Sequence, residues 1–181
     1  DAGIARYCEV PGCTGAATLV NSLVGMHAGD RLGSAGALEV GDGNYVVISE
    51  AMDNGAIDKT GGVTFCQGAA PCTGSAAPGR NLMGTNSGDQ VGCGGVTVLS
   101  DGNYVVSSPL WSSAIANIGA VTWCSGAVGC TDMLVSGANS LTGTTTNDRV
   151  GVEGIRALSG GAYVVVSPDV DNGALNDTGA V

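Results

Sequence analysis

The sequence has little positive charge, few aromatic side chains and a single histidine. Its 181 residues include only 6 Lys and Arg against 16 Asp and Glu, which gives a formal net charge of −10. A nucleic-acid backbone or an anionic membrane surface would repel such a chain. His27 is the one histidine, so a histidine-based triad or metal site could not recur along the chain. We therefore expect no nucleic-acid partner and no enzyme, because no acid–base or nucleophile constellation is visible.

Long apolar runs and proline are also scarce. Runs such as residues 163–166 are far shorter than the roughly 20 residues of a membrane-spanning helix, so we expect no membrane insertion. Only 5 prolines are present and the 32 glycines have no three-residue period, which excludes collagen. Hydrophobic residues make up 44% and charged residues 12%, a composition that excludes disorder. Many short strands joined by glycine turns fit it better.

The chain repeats itself. The motif Tyr-Val-Val recurs with its tyrosines 59 residues apart, at Tyr45, Tyr104 and Tyr163. Cys8, Cys66 and Cys124 are spaced 58 residues apart. Internal repeats of this length are typical of stacked architectures in which each unit buries its faces on its neighbours. We expect one array over residues 1–181, cut in mid-repeat, with repeats at 3–60, 61–118 and 119–178 and the start of a fourth at 179–181.

Each repeat is predicted to form four antiparallel strands. In the second copy these are residues 90–99, 103–108, 119–124 and a segment that starts around 133–136 and runs on to Asn139-Ser140-Leu141. Asp42-Gly43 and Asp101-Gly102 lie between the first two strands of their copies, and Asp-Gly between apolar runs indicates a tight hairpin. The fold class is therefore all-β, with three tandem blade-like repeats of a β-propeller type. A β-solenoid is the alternative, but the hairpins argue against its uniform coils.

Six of the 7 cysteines form local pairs at one place in the repeat. The pairs are Cys8 with Cys13, Cys66 with Cys72, and Cys124 with Cys130. Each pair brackets a turn, and a hairpin brings such positions to the short separation that a disulfide needs. Zinc is the alternative, but equivalent blades would hold their pairs well apart. Disulfides are favoured, and they indicate an extracellular or cell-surface location.

Cys93 stands outside the pattern, because its counterparts are Ser34 and Val152. The simpler interpretation is a buried, unreactive thiol. The alternative is an intermolecular cross-link to another chain.

Several other conspicuous residues have structural interpretations. Asp30, Asp89 and Asp148 occupy one position of the repeat, so we expect caps that accept backbone N–H bonds in turns. Trp111 and Trp123 are expected to pack between blades rather than to form sugar platforms. Residues 108–111 are the mild candidate for a ligand loop, and the ligand-binding residues are otherwise unknown.

The repeat resembles a known family. The second copy contains, in order, an apolar residue followed by Gly, an apolar strand, an Asp-Gly turn, Tyr-Val-Val and Ser-Pro. The first of these parts is Val91-Gly92 and the last is Ser108-Pro109. This resembles the FG-GAP repeat of integrin-type propellers. The recurring Asn-Ser-Leu-Val-Gly and Gly-Asn-Tyr-Val-Val segments are still more similar to repeats of large secreted bacterial proteins of the filamentous-haemagglutinin type. The resemblance implies a bacterial surface protein used in adhesion or display.

The calcium loop of FG-GAP blades is missing from these turns. Residues 41–44 and 100–103 carry one carboxylate each, and residues 159–162 carry none. Calcium takes about six to eight oxygen ligands, so we expect no metal and no cofactor.

The sequence thus predicts an extracellular structural repeat protein. We expect a building block of a surface fibre or stalk, a homo-oligomer or filament assembled head to tail by completing split blades. The alternative function is an adhesin-type module that binds a glycan or protein ligand. A ligand site would appear as one repeat with a loop unlike the others.

Overall fold

The computed structural model describes residues 1–76, 81–130 and 134–181. Within these residues the chain is almost entirely short strands and turns. None of the described residues belongs to a helix of the length and hydropathy needed to cross a membrane. The strands are β1 Ile4–Ala5, β2 Leu23–Val24, β3 Ala37–Glu39, β4 Tyr45–Ser49, β5 Gly62–Cys66, β6 Gly74–Ser75, β7 Asn81–Met83, β8 Val96–Val98, β9 Tyr104–Ser108, β10 Ala120–Cys124, β11 Ser140–Thr142, β12 Ile155–Ala157 and β13 Tyr163–Val165.

Two complete four-stranded antiparallel sheets form the middle of the molecule. Blade 1 has the order β3-β4-β5-β7 and blade 2 the order β8-β9-β10-β11. Their registers are equivalent, with Val63 opposite Leu82 in blade 1 and Val121 opposite Leu141 in blade 2. On either side lies half of the same unit. The N-terminal half-blade is β1 and β2, which correspond to the third and fourth strands, and the C-terminal half-blade is β12 and β13, which correspond to the first and second.

The two central strands of each complete blade bury residues on both of their faces. Along β4, Val47 packs toward the N-terminal half-blade, whereas Val46 and Ile48 pack toward blade 2. Successive side chains of a strand point to opposite faces of the sheet, so Tyr-Val-Val supplies both faces from one short run. Three apolar clusters result, one at each contact between neighbouring units. The core of this protein therefore lies between blades.

The predicted fold class is confirmed, but the strands of the second copy differ in extent from those expected. In the second copy the first strand is only Val96–Val98. Gln90, Gly92 and Gly95 have φ values of 45°, 89° and 90°, and such left-handed residues form turns rather than a strand. The fourth strand is Ser140–Thr142, which lies at the end of the predicted segment. Residues 131–133 lie outside the described part of the chain.

The hairpin turns between the first two strands also stack on one another. Asp42 and Gly43 have φ values of 61° and 71°, and Gly102 has 84°, as Asp-Gly turns require. The N–H of Gly41 donates to the carbonyl of Gly102 at 2.7 Å. A Cβ on Gly102 would lie 2.8 Å from Cα of Gly41. Glycine at these turns therefore permits the close approach of consecutive blades.

Candidate functional site: the joint between blades

The most regular feature of the molecule is the joint at which one unit passes to the next. A glycine just before the third strand forms a parallel bridge to the apolar residue that follows the repeated aspartate. The bridges are Gly3 with Leu32, Gly61 with Val91, and Gly119 with Val150. A Cβ on Gly61 would lie 2.2 Å from the backbone nitrogen of Val91. The joint therefore requires glycine at this place.

A buried aspartate clamps each joint. Oδ2 of Asp89 accepts the backbone N–H groups of Thr85 and Asn86, both at 2.8 Å, and Oδ1 accepts that of Ser112 at 3.0 Å. Asp89 is 1% exposed. The carboxylate thus ties the turn that enters the blade to a loop 23 residues further along the chain. Charge-assisted bonds of this kind are stronger than neutral ones.

The clamp is the same in the other two copies. Asp30 bonds Met26, His27 and Asp53, and Asp148 bonds Thr144, Thr145 and Asp171. Both carboxylates are buried. The predicted role of the three aspartates as caps that accept backbone N–H bonds is therefore confirmed. The three carboxylates hold three separate joints and do not converge on a shared centre.

The carboxylates of two clamps have pKa values that shift in opposite directions. Burial raises the pKa of Asp89 above its ordinary value, although bonds from the backbone of Asn86, Ser112 and Thr85 act to lower it. Burial acts in the same direction on Asp148, but the Thr145 hydroxyl adds a further hydrogen bond, and the pKa of Asp148 is lowered overall. Hydrogen bonds to the charged form favour it.

One clamp also brings three candidate metal ligands together. Ligand atoms of His27, Asp30 and Asp53 lie within 4.8 Å of one another. His27 is partly exposed, with Nδ1 3.8 Å from Oδ1 of Asp30. Both oxygens of Asp30 already accept backbone N–H bonds, and one oxygen of Asp53 accepts the N–H of Lys59. The cluster is therefore explained by turn hydrogen bonding.

The three predicted disulfides are present. Cα–Cα distances are 5.2 Å for Cys8–Cys13, 5.4 Å for Cys66–Cys72 and 4.4 Å for Cys124–Cys130. Cys66 and Cys124 belong to the inter-blade clusters, whereas Cys8 and Cys13 are exposed.

A repeated tyrosine supports the two inner disulfide loops. The hydroxyl of Tyr45 accepts the N–H of Cys72 at 3.3 Å. The hydroxyl of Tyr104 lies 3.6 Å from Sγ of Cys130. Burial raises the pKa of Tyr104 well above its ordinary value, so its hydroxyl stays protonated. The Tyr-Val-Val motif therefore supports the disulfide loop as well as the core.

The segment after each inner disulfide makes a contact that the repeat pattern does not predict. β6 pairs in parallel with β2 of the preceding unit, and the N–H of Ala76 donates to Val24 at 2.8 Å. The N–H of Val135 likewise donates to Met83 at 3.0 Å. These segments cover Leu23 and Leu82, which are 2% and 1% exposed. Short, irregular segments of this kind have no period that would identify them as strands.

The tryptophans occupy different environments. Trp111 is 4% exposed and belongs to the cluster between blades 1 and 2. Ser108 and Pro109 are also buried, so the candidate ligand loop at 108–111 is not an open surface. Trp123 is 46% exposed. Its counterpart Phe65 lies under the next disulfide loop, where a Cβ on Gly129 would come 2.9 Å from the ring.

Cys93 is a free, half-buried thiol. Burial raises its pKa, and the charge of Glu50 acts in the same direction. A raised pKa leaves little thiolate at neutral pH, which favours the interpretation as an unreactive thiol. The intermolecular cross-link stays an untested prediction.

Two clefts occur at equivalent places beside the repeated tyrosines. One has a volume of about 390 Å³ and lies between the two inner disulfide loops, with Phe65, Gln67 and Val128 in its wall. The other has about 410 Å³ and is lined by Tyr7, Tyr45 and Leu38 among others. Because the cleft recurs, it follows from blade geometry.

Comparison with known proteins agrees with this regularity. A family model described as "Repeat of unknown function (DUF5650)" matches residues 8–34, 39–93, 98–152 and 157–181, which is most of the chain. The chain belongs to this repeat family. The DUF5650 match to 39–93 begins in β3 and extends past blade 1 to Cys93. It shows neither the FG-GAP nor the filamentous-haemagglutinin family. No curated protein and no solved structure matches the chain.

Proposed function

We propose that this chain is a structural repeat protein of the cell exterior, a building block of a surface fibre or stalk in which blades join head to tail. The observation that carries the proposal is the repeated joint. Each complete blade joins its neighbours through the same glycine bridge and aspartate clamp. Repeats that contact only their neighbours form elongated arrays whose stability is shared between units.

Three further features support this role. The disulfides favour an oxidising, extracellular setting. The three repeated carboxylates accept backbone N–H bonds, so we propose no catalytic role for them. The resemblance of the repeat to FG-GAP and filamentous-haemagglutinin repeats suggests a secreted bacterial surface protein.

The test is immunogold labelling of unpermeabilised cells of the source organism. An antibody raised against the purified chain is expected to decorate surface filaments. Pre-immune serum is the control for non-specific binding, and permeabilised cells are the control for internal protein. Labelling confined to permeabilised cells would contradict the proposal.

A binding role is the second candidate, and the cleft between the inner disulfide loops favours it. Phe65 offers an apolar surface there, and Gln67 offers an amide that could hydrogen-bond a sugar hydroxyl. A glycan array would test this role. Loss of any signal in Gln67→Ala, with retention in Gln90→Ala, would support it, and an array without signal would dismiss it for glycans.

A further inference from the structure

The three joints differ in the side chains that surround the clamp. At the first joint the clamp residue Asp30 is bonded by the backbone of a second aspartate, Asp53, and at the third joint Asp148 is bonded in the same way by Asp171. At the second joint a serine, Ser112, stands in place of the second aspartate. Neighbouring carboxylates repel each other, so such a pair is stabilised by a cation or a hydrogen-bond donor between its members.

The third joint has a donor between its two carboxylates. The hydroxyl of Thr145 donates to Oδ1 of Asp148 and lies 3.1 Å from Oδ2 of Asp171. At the first joint His27 takes the place of Thr145, because its backbone N–H bonds the clamp in the same way. Its Nδ1 lies 3.8 Å from Oδ1 of Asp30, which is beyond hydrogen-bond distance. The carboxylate pair of the first joint therefore has no such bridge.

The nitrogen of His27 that faces the carboxylates has no partner. Nδ1 is shielded from solvent and makes no hydrogen bond with any residue that the structure describes, although the side chain as a whole is 39% exposed. Turn hydrogen bonding explains the positions of the two carboxylates, but it does not explain this nitrogen. A shielded polar atom without a protein partner indicates an ion or a water molecule beside it.

The three side chains have the chemistry and the spacing of a metal site. Their ligand atoms lie within 4.8 Å of one another. Oδ1 of Asp30 accepts one backbone N–H, and the N–H of Lys59 bonds Oδ1 of Asp53, so both carboxylates keep lone pairs for a cation. Zinc binds imidazole nitrogen and carboxylate oxygen at about 2.0–2.2 Å, which places tetrahedral ligand atoms roughly 3.4 Å apart. A small rotation of the partly exposed His27 ring provides that spacing.

We propose that His27, Asp30 and Asp53 bind a divalent transition-metal ion, for which zinc is the best fit, with water as its fourth ligand. Calcium takes about six to eight oxygen ligands, so a site with one nitrogen and two carboxylates selects against it. The ion links the turn of His27 to the loop of Asp53 and replaces the hydroxyl bridge of the third joint. The hairpin turns, from which the sequence predicted no metal, are not part of this site. The site goes beyond the proposed function and does not depend on it.

Calorimetric titration of the untagged, EDTA-treated and dialysed chain with zinc chloride tests the site. We expect the binding of one zinc ion per chain, and no binding of calcium at this place. Because His27 is the only histidine, its imidazole ¹⁵N signals report the site without ambiguity, and the Nδ1 signal should move on zinc addition. The backbone bonds to Asp30 hold the clamp without the ion, so the metal-free chain stays folded, and zinc should raise its melting temperature.

Variants that copy the other joints separate this site from weak binding to an acidic surface. His27→Asn and Asp53→Ser introduce the residues of the second joint, Asn86 and Ser112, so both are expected to fold and to bind zinc at least 10-fold more weakly. Asp171→Ser makes the same change at the third joint and is the matched control, with zinc affinity like that of the wild type.

His27→Thr copies the third joint and supplies a hydroxyl bridge in place of the ion. Its melting temperature should no longer respond to zinc. An absence of zinc binding, an Nδ1 signal that does not move, or equal losses of affinity in Asp53→Ser and Asp171→Ser would overturn the proposal. Each of these results would leave the structural function standing.

Discussion

At the residue scale, the buried aspartate is the side chain with most influence on the fold. Asp89 is buried, and its carboxylate accepts the backbone N–H groups of Thr85, Asn86 and Ser112. A hydrogen bond to a charged group contributes about 1.5–3 kcal/mol. The aspartate therefore stabilises an irregular turn that has no strand-to-strand hydrogen bonds of its own.

Asp89→Asn is expected to destabilise the protein by roughly 2–3 kcal/mol, because one carboxylate acceptor becomes an amide donor that faces backbone donors. Urea unfolding measures the change. Asp58→Asn, at an exposed position, is the control and should differ from the wild type by less than about 0.5 kcal/mol. Equal stability of the two variants would contradict the clamp.

Thr145→Val is expected to raise the pKa of Asp148, because the hydroxyl that favours its charged form is lost. A lowered aspartate pKa contributes stability that is present above the unfolded-state value of about 3.9 and is lost as pH falls through the folded-state value. The variant should therefore lose less stability on acidification. NMR titration of the Asp148 carboxyl carbon measures the pKa, and an unchanged value would refute the assignment.

At the element scale, the disulfide loops differ in burial although their sizes are similar. Closing so short a loop stabilises by about 2 kcal/mol on entropic grounds. Cys66 and Cys72 are also 1% and 5% exposed, so their sulfur atoms add packing between the N-terminal half-blade and blade 1.

Replacing Cys66 and Cys72 together by alanine is expected to lower the melting temperature more than the same change at Cys8 and Cys13. Both changes lose a loop closure, but only the first also leaves a cavity in a cluster. Calorimetry of the two double variants measures the difference. Mass spectrometry of unreduced peptides should find all three links in the wild type, and free thiols at these positions would contradict the structure.

The need for glycine at the bridge between blades can be tested by comparing Gly61 with Gly55. Gly61 and Gly55 have nearly the same φ, 68° and 63°, but a Cβ on Gly61 meets the backbone of Val91 whereas the space around Gly55 is open. Gly61→Ala is expected to cost roughly 3 kcal/mol or more, or to prevent folding. Gly55→Ala should cost about 1 kcal/mol from backbone strain alone. Chemical denaturation compares the two, and similar losses would show that the joint tolerates a side chain.

At the scale of the whole molecule, stability comes from contacts between blades, so it should not depend on calcium. The turns at 41–44, 100–103 and 159–162 carry few carboxylates, and Asp101 bonds its own turn through Asn103. EDTA is therefore expected to leave the melting temperature unchanged to within about 1 °C. A fall of many degrees that added calcium restores would contradict this expectation.

The sequence by itself determined the period, the all-β class and the cysteine pairing. The period follows from spacing, because Tyr45, Tyr104 and Tyr163 recur at a fixed interval. The all-β class follows from the hairpin turns, because these depend on local φ preferences. The aspartate caps were also predictable, since Asx turns are local.

Only the tertiary structure decided which surfaces meet. The closeness of Gly61 to Val91 and the parallel contact of β6 with β2 both join segments that are distant in sequence. No local propensity encodes such contacts, because they depend on how one blade is oriented on the next.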